Sequence, residues 1–341
     1  MTARARPSRL PDEARDRLLA ALCLPDSNHG EGNGCIGTLP LTRLDDADSD
    51  PVEVFLAPSE VTLQQQGGEC FAHADGWVFG NLPIDESEGL ALGAESAYGR
   101  LFERLDRART PHLWRVWHYL PEINAIDAGS GLERYRLFNQ GRAAAFDHAG
   151  QAPSASAPAA CALGSPDGTK GRLFYLAAAT PTQRIENPRQ VSAWNYPVRY
   201  GPKSPLFARA ALASGARHDW LFVSGTASIV GHETRHHDDV VKQTEETIAN
   251  LETVLEQANA RRDAPARRFA WDETGLLRIY LRHPAHLVPV RECIDRWLDD
   301  RVEQVYLQAD ICREDLLVEI EATLRLPRDG TAAIDTVWPA L

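Results

Sequence analysis

Residues 231–239 read GHETRHHDD, and within them His232, Glu233 and His236 have the spacing H-E-x-x-H. On a helix that spacing sets two imidazoles on one face, where they can bind zinc while the glutamate between them activates water. The flanking residues point elsewhere. DWLFVSGTASIV reads as a β-branched strand running into Gly231, and Asp238 or Asp239 is the better N-cap for the helical pattern that follows. His232 to His236 then fall in a strand-to-helix turn, which does not guarantee the i, i+4 geometry, and no third ligand motif follows. A zinc hydrolase is one reading of the segment. The plainer one is a set of polar side chains that cap a helix and hydrogen-bond locally.

The second group of reactive side chains lies near the C-terminus. DLLVEIEATLRLP alternates strictly, with Val318, Ile320, Ala322 and Leu324 on one face and Glu319, Glu321, Thr323 and Arg325 on the other. Read from the residues alone, both glutamates face water on a half-exposed strand. Cys312 precedes Glu319 by seven residues at the end of the strand VEQVYLQADIC, so a hairpin could bring thiol and carboxyl into one pocket. A buried cysteine is most often a small inert hydrophobe.

The elements that must position these groups follow from pattern. Val240, Val241, Thr244, Ile248, Leu251, Val254 and Leu255 recur at helical spacing after Asp239. GLLRIYLRHP is a strand closed by proline, LVPVRECIDRWLDD a helix, and the two strands above complete the order β-α-β-α-β-β, an α+β layer with helices on one face of a mixed sheet. The first half carries short strand-like runs, VEVFLAP, GWVFGNLP and RLFYLAAA, between turn residues. Residues 149–171, AGQAPSASAPAACALGSPDGTKG, have the composition of a mobile loop or a linker. The first 25 residues read as a flexible tail followed by a short amphipathic helix.

Composition bounds the function. At about 150 residues per domain, 341 residues favour two domains. A net charge of −12 argues against a broad nucleic-acid surface, yet leaves room for an anionic small substrate in a local pocket of arginines. No run of about 18 apolar residues exists to span a membrane. The six cysteines, Cys23, Cys35, Cys70, Cys161, Cys293 and Cys312, lack CxxC or CxH spacing, which predicts neither zinc knuckle nor disulfide framework and fits a reduced cytoplasm.

Longer motifs add to this reading. NYPVRYGPKSPLFARA (195–210), LFVSGTASIVGHETRHHDDVVKQTEETIANL (221–251) and YLQADICREDLLVEIE (306–321) together resemble the chorismatase family, whose members remove pyruvate from chorismate. The resemblance runs from about Trp77 onward. It implies two RidA/YjgF-like domains, 1–190 and 191–341, the second carrying the catalytic glutamate. Chorismate is then the expected partner, with no metal or cofactor, and the chain is expected to act as a monomer.

Chorismate has two carboxylates and an enolpyruvyl ether. Arg142 in GLERYRLFNQGR and Arg209 in SPLFARA are similar to the family's carboxylate-binding arginines, a role that suits the planar guanidinium. Tyr135, Tyr196 and Tyr200 would supply hydroxyl donors, and His232 looks like part of the active-site wall. The VEIE motif implies that Glu319 is the general acid, which needs a raised pKa from burial or from Glu321. The same resemblance makes Cys312 the mark of the branch that forms 3-hydroxybenzoate. Ala227, where those enzymes tend to have glycine, suits either the hydrolytic branch, which yields a dihydroxy-cyclohexadiene carboxylate, or a bifunctional pigment-pathway branch yielding 3- and 4-hydroxybenzoate. A third reading is a RidA-like module that binds an anionic metabolite through Arg142 and Arg209 without turnover.

Overall fold

The computed structural model of the protein describes residues 16–25, 34–45, 52–152, 157–215, 217–262, 267–298 and 301–328. Three sheets and a separate two-stranded hairpin organise them. A small one has the order β2-β1-β4, from β1 (Leu18–Cys23), β2 (Cys35–Thr38) and β4 (Glu53–Leu56). The first large sheet contains β5 (Thr62–Gln66), β6 (Glu69–Ala74), β7 (Trp77–Pro83), β8 (His112–Pro121), β9 (Ala159–Ser165), β10 (Arg172–Ala178) and β18 (Asp310–Ile311), in the order β18-β9-β8-β10-β7-β6-β5. The second contains β3 (Thr42–Arg43), β11 (Gln183–Ile185), β12 (Ala210–Ser214), β13 (His218–Ala227), β16 (Gly275–Leu281), β17 (Glu303–Gln308) and β19 (Val318–Pro327), in the order β11-β12-β13-β19-β16-β17-β3.

Both large sheets are mixed, because β8 pairs with β9 and β16 with β17 in parallel while the other pairs run antiparallel. Each parallel pair needs a crossover. Helix α2 (Arg134–His148) fills the first and α4 (Leu287–Trp297) the second. Helix α1 (Leu90–Ala108) packs beside α2, and α3 (Val240–Ala260) beside α4. Asp239 caps α3 as the spacing predicts, its side chain accepting from the Lys242 N–H at 3.0 Å. One apolar core joins the first sheet to α1 and α2, and another joins the second sheet to α3 and α4. A third core, with Trp114, Trp117, Trp220 and Phe222, lies between the two sheets and takes in Leu19 and Leu22 of the small one. The layers therefore run helix, sheet, sheet, helix, an α+β arrangement.

Four expectations are corrected. Leu18–Cys23 is a strand and not an amphipathic helix, since all six residues are buried and there is no polar face to turn to water; the tail before it lies outside the described residues. Within the Ala/Pro/Ser-rich stretch, Ala159–Ser165 is a wholly buried strand between β8 and β18 of the first sheet. Its small residues allow close packing: a Cβ on Gly164 would come within 2.5 Å of the Asp310 Cβ on β18. Strands β17 and β19 are not hairpin partners, because β16 lies between them. Cys35 and Cys70 form a disulfide across 35 residues of chain, joining β2 to β6. No short motif announces that pair, and the reduced compartment inferred from scattered cysteines loses this support. Among the described residues, no helix is long and apolar enough to cross a membrane.

Candidate active site

Strand β19 splits its side chains as the alternation requires. Val318, Ile320, Ala322 and Leu324 enter the core under α3 and α4. Glu319 and Glu321 enter the space between the two sheets, and each is only 3% exposed, so neither faces water. The two carboxyls meet opposite surroundings. Glu321 accepts from the Arg278 guanidinium at 2.7 Å, the Tyr280 hydroxyl at 2.8 Å and the Trp117 indole at 3.2 Å, and it pairs with Arg115 of β8. Burial alone would raise its pKa, but Arg115 and Arg278, with the Tyr280 bond, outweigh burial and keep it ionised. Arg278 also pairs with Glu53 of β4, so the network balances two guanidinium groups against two carboxylates.

Glu319 is raised to about 8, by burial first and by the Glu321 charge second, against a smaller opposing effect of Arg115. A β-bulge in β13 between Val223 and Thr226 brings Gly225 under this carboxyl. A Cβ at Gly225 would run into Glu319 Oε1, so glycine is what lets the acid sit there.

Glu319 opens into a cavity of about 710 Å³. Cys312, Ala227 and Tyr135 line it, as do Tyr196, Tyr200 and Arg209. Cys312 arrives in the turn after β18, not by a hairpin. Its thiol is pushed up to about 12 by burial first and by Glu319 second, so it is present as the neutral thiol. Burial likewise raises Tyr135 and keeps it a phenol donor. Arg209 donates to the Tyr196 hydroxyl at 2.9 Å and to the Val191 carbonyl at 2.7 Å.

Two expected residues do not line the cavity. Arg142 is 2% exposed behind Tyr135, on the face of α2 that carries residues 135, 139 and 142; its Nη2 donates to Asn139 at 2.9 Å and its Nε has no partner. His232 packs edge-on against Tyr200, with ring centroids 5.7 Å apart. Its segment is no helix: β14 (Ile229–Val230) and β15 (Glu233–Thr234) form a hairpin turning at Gly231, where φ is 62°. His236 follows in the left-handed region and approaches Glu246. Among the described residues no three His, Cys, Asp or Glu side chains cluster so as to hold a metal.

Comparison with known proteins bears on this geometry. A family model described as the N-terminal part of FkbO/Hyg5-like chorismatases matches residues 53–178. A chorismatase from Streptomyces rapamycinicus is 38% identical over 259 residues, 75% of this chain and 77% of that protein. The chain belongs to the chorismatase family. A 3-hydroxybenzoate synthase from Streptomyces hygroscopicus is 34% identical over 80% of this chain and 81% of its own length. A solved chorismatase crystal structure covers 94% of the chain and 96% of its own, at 32% identity and a TM-score of 0.82. A YjgF-family structure from Neisseria meningitidis also matches, at 21% identity over 38% of this chain, with a TM-score of 0.28.

Around Glu319 and Glu321, several residues escaped the reading of the sequence. Arg115 in LWRVWHYL and Arg278 in LLRIYL each place a charge inside an aromatic or aliphatic strand run. A charge there demands a buried partner, and that was the available signal. Gly225 and Arg313 carried no such mark, because a bulge and a turn decide where they point.

Proposed function

We propose that this enzyme cleaves chorismate to pyruvate and 3-hydroxybenzoate, with Glu319 as general acid. The observation that carries this reading is that Glu319 and Cys312 line one cavity, where burial favours the protonated form of both, while Glu321 behind them is hydrogen-bonded to Arg278, Tyr280 and Trp117. Two carboxyls whose environments push them apart mark an acid and a fixed charge.

Glu319 delivers its proton to the enol-ether methylene, making the ether carbon electrophilic and the enolpyruvyl group a leaving group. The ring C–O bond breaks as the neighbouring ring hydroxyl oxygen bonds to the same carbon. The hydroxyl proton passes to the Glu319 carboxylate, which restores the acid, and the pyruvyl group departs as pyruvate. The resulting ring oxide opens at its bond to the former hydroxyl carbon, its oxygen takes up a proton as the carbon that keeps it gives one up, and 3-hydroxybenzoate results. Cys312 assists this rearrangement as a hydrogen-bond donor. The atoms of chorismate equal those of the two products, so no water is consumed. Tyr135, Tyr196, Tyr200 and Arg209 orient the substrate, with Arg142 and His232 supporting them from behind the wall.

The hydrolytic branch is the second reading, favoured by Ala227 on the cavity wall. It consumes one water and gives the dihydroxy-cyclohexadiene carboxylate. Purified protein, treated with a chelator and given chorismate, is expected to release pyruvate with 3-hydroxybenzoate, alone or beside the 4-isomer, as resolved by chromatography. The diol alone would select the hydrolytic branch, and turnover only after zinc is restored would select the metal reading. Cys312→Ala is expected to keep pyruvate release and shift the product toward the diol; an unchanged product ratio removes the thiol from the rearrangement.

A further inference from the structure

A dianionic substrate needs cationic donors that face the cavity, and Arg142 does not line it. Arg136, Arg209 and Arg313 do. Arg136 is already paired with Glu133 at 3.2 Å, whereas no carboxylate among the described residues forms an ion pair with Arg313. Nη2 of Arg313 is buried and has no hydrogen-bond partner. An unpartnered buried donor of a charged group is costly, and it is tolerated where a ligand completes it.

The rest of that side chain is fixed in place. Its Nη1 donates to the His232 carbonyl at 3.0 Å and the Thr234 hydroxyl at 3.3 Å. Its guanidinium lies 4.3 Å from the Tyr200 ring centroid and 5.3 Å from that of Tyr196. The backbone is held as well: Arg282 donates to the carbonyls of Arg313 at 2.9 Å and Leu316 at 2.8 Å. Arg209 reaches the same Tyr196 and also keeps a buried nitrogen, Nε, without a partner.

We propose that Arg313 binds a carboxylate of the substrate together with Arg209, both meeting at Tyr196, and that the turn formed by GHET holds this arginine in place. The inference rests on the chorismate-cleaving reading and adds a substrate-anchoring residue to it. It also gives the H-E-x-x-H segment a task other than metal binding, since the segment contributes a main-chain carbonyl and a threonine hydroxyl.

The test is steady-state kinetics of Arg313→Ala and Arg313→Lys on chorismate, with melting temperatures measured in parallel. Removing an anchor that holds ground state and transition state alike raises KM and leaves kcat nearly unchanged. Losing a charge-assisted bond is expected to raise KM about tenfold or more in Arg313→Ala, with kcat within about threefold, while Arg313→Lys keeps the charge, loses the fork and shows a smaller rise. If the alanine variant folds poorly, the lysine variant decides: a raised KM supports the anchor, and a wild-type KM overturns it. Wild-type KM in both variants, or a fall in kcat at constant KM, overturns the inference alone. A wild-type protein that releases no pyruvate overturns the reading beneath it and this inference with it.

Discussion

Glu319 and Glu321 share one face of one strand and are held in opposite protonation states. The donors that converge on Glu321 make the difference, and Glu319 has the cavity in their place. An acid catalyst must be protonated, so activity persists below about 8 and falls about tenfold per pH unit above it. The stability consequence has a definite sign. An unfolded glutamate ionises near 4.5 and the folded one near 8, so between those values the folded chain holds a proton the unfolded chain has released, and stability declines as pH rises. Glu319→Gln removes that decline. The variant is expected to release no pyruvate yet to melt higher than wild type at pH near 7.5, checked by thermal unfolding at several pH values; full activity would remove Glu319 as the acid. Alternation placed both carboxyls on one face of β19 from the sequence alone. It could not show that a second sheet covers that face, so the residues by themselves read as solvated.

The turn between β18 and β19 carries Cys312 and Arg313, and helix α3 fastens it. Gln243, one turn into α3 and fully buried, donates to the carbonyls of Asp315 at 2.9 Å and His236 at 3.2 Å and accepts from the Leu317 N–H at 2.8 Å. Truncation to alanine leaves those main-chain groups unpaired, at a cost of about 2–4 kcal/mol. Gln243→Ala is therefore expected to lower the melting temperature and also to weaken chorismate turnover, because the turn that presents both functional residues loosens. A lower melting temperature with wild-type kinetics would show that Arg282 and the GHET turn hold the segment without Gln243. The helix itself was legible, since its apolar positions recur at three and four and Asp239 caps it. Gln243 was not, because a polar residue in such a helix reads as solvent-facing until its partners in the two neighbouring turns are known. Strand β9 failed for a related reason: alanine, glycine and serine look like linker composition, and only neighbours on both faces make small residues the right ones.

The three sheets are tied together at one buried point. Arg115 comes from the first large sheet, Glu321 and Arg278 from the second, and Glu53 from the small one. Short strands cross as well, β3 of the N-terminal part joining the second sheet and β18 of the C-terminal part joining the first. Chain length and the family resemblance suggested two successive domains, and these exchanges are invisible in the sequence because two-residue strands have no pattern. The Cys35–Cys70 disulfide adds a covalent tie between the small sheet and the edge region of the first. That small sheet carries Glu53, so loosening it strips Arg278 of one partner and reaches the charge that supports Glu319. Closing 35 residues limits the unfolded chain by about 4 kcal/mol in the chain-entropy account. Cys35→Ser is thus expected to melt several degrees below the wild type, and a reductant should lower the wild type toward the same value while leaving the variant unmoved. A wild type whose melting is insensitive to reductant, and equal to that of the variant, would mean that the two thiols stay free and that the Glu53–Arg278 pair and the packing of Leu19, Leu22 and Phe55 hold the small sheet in place without them.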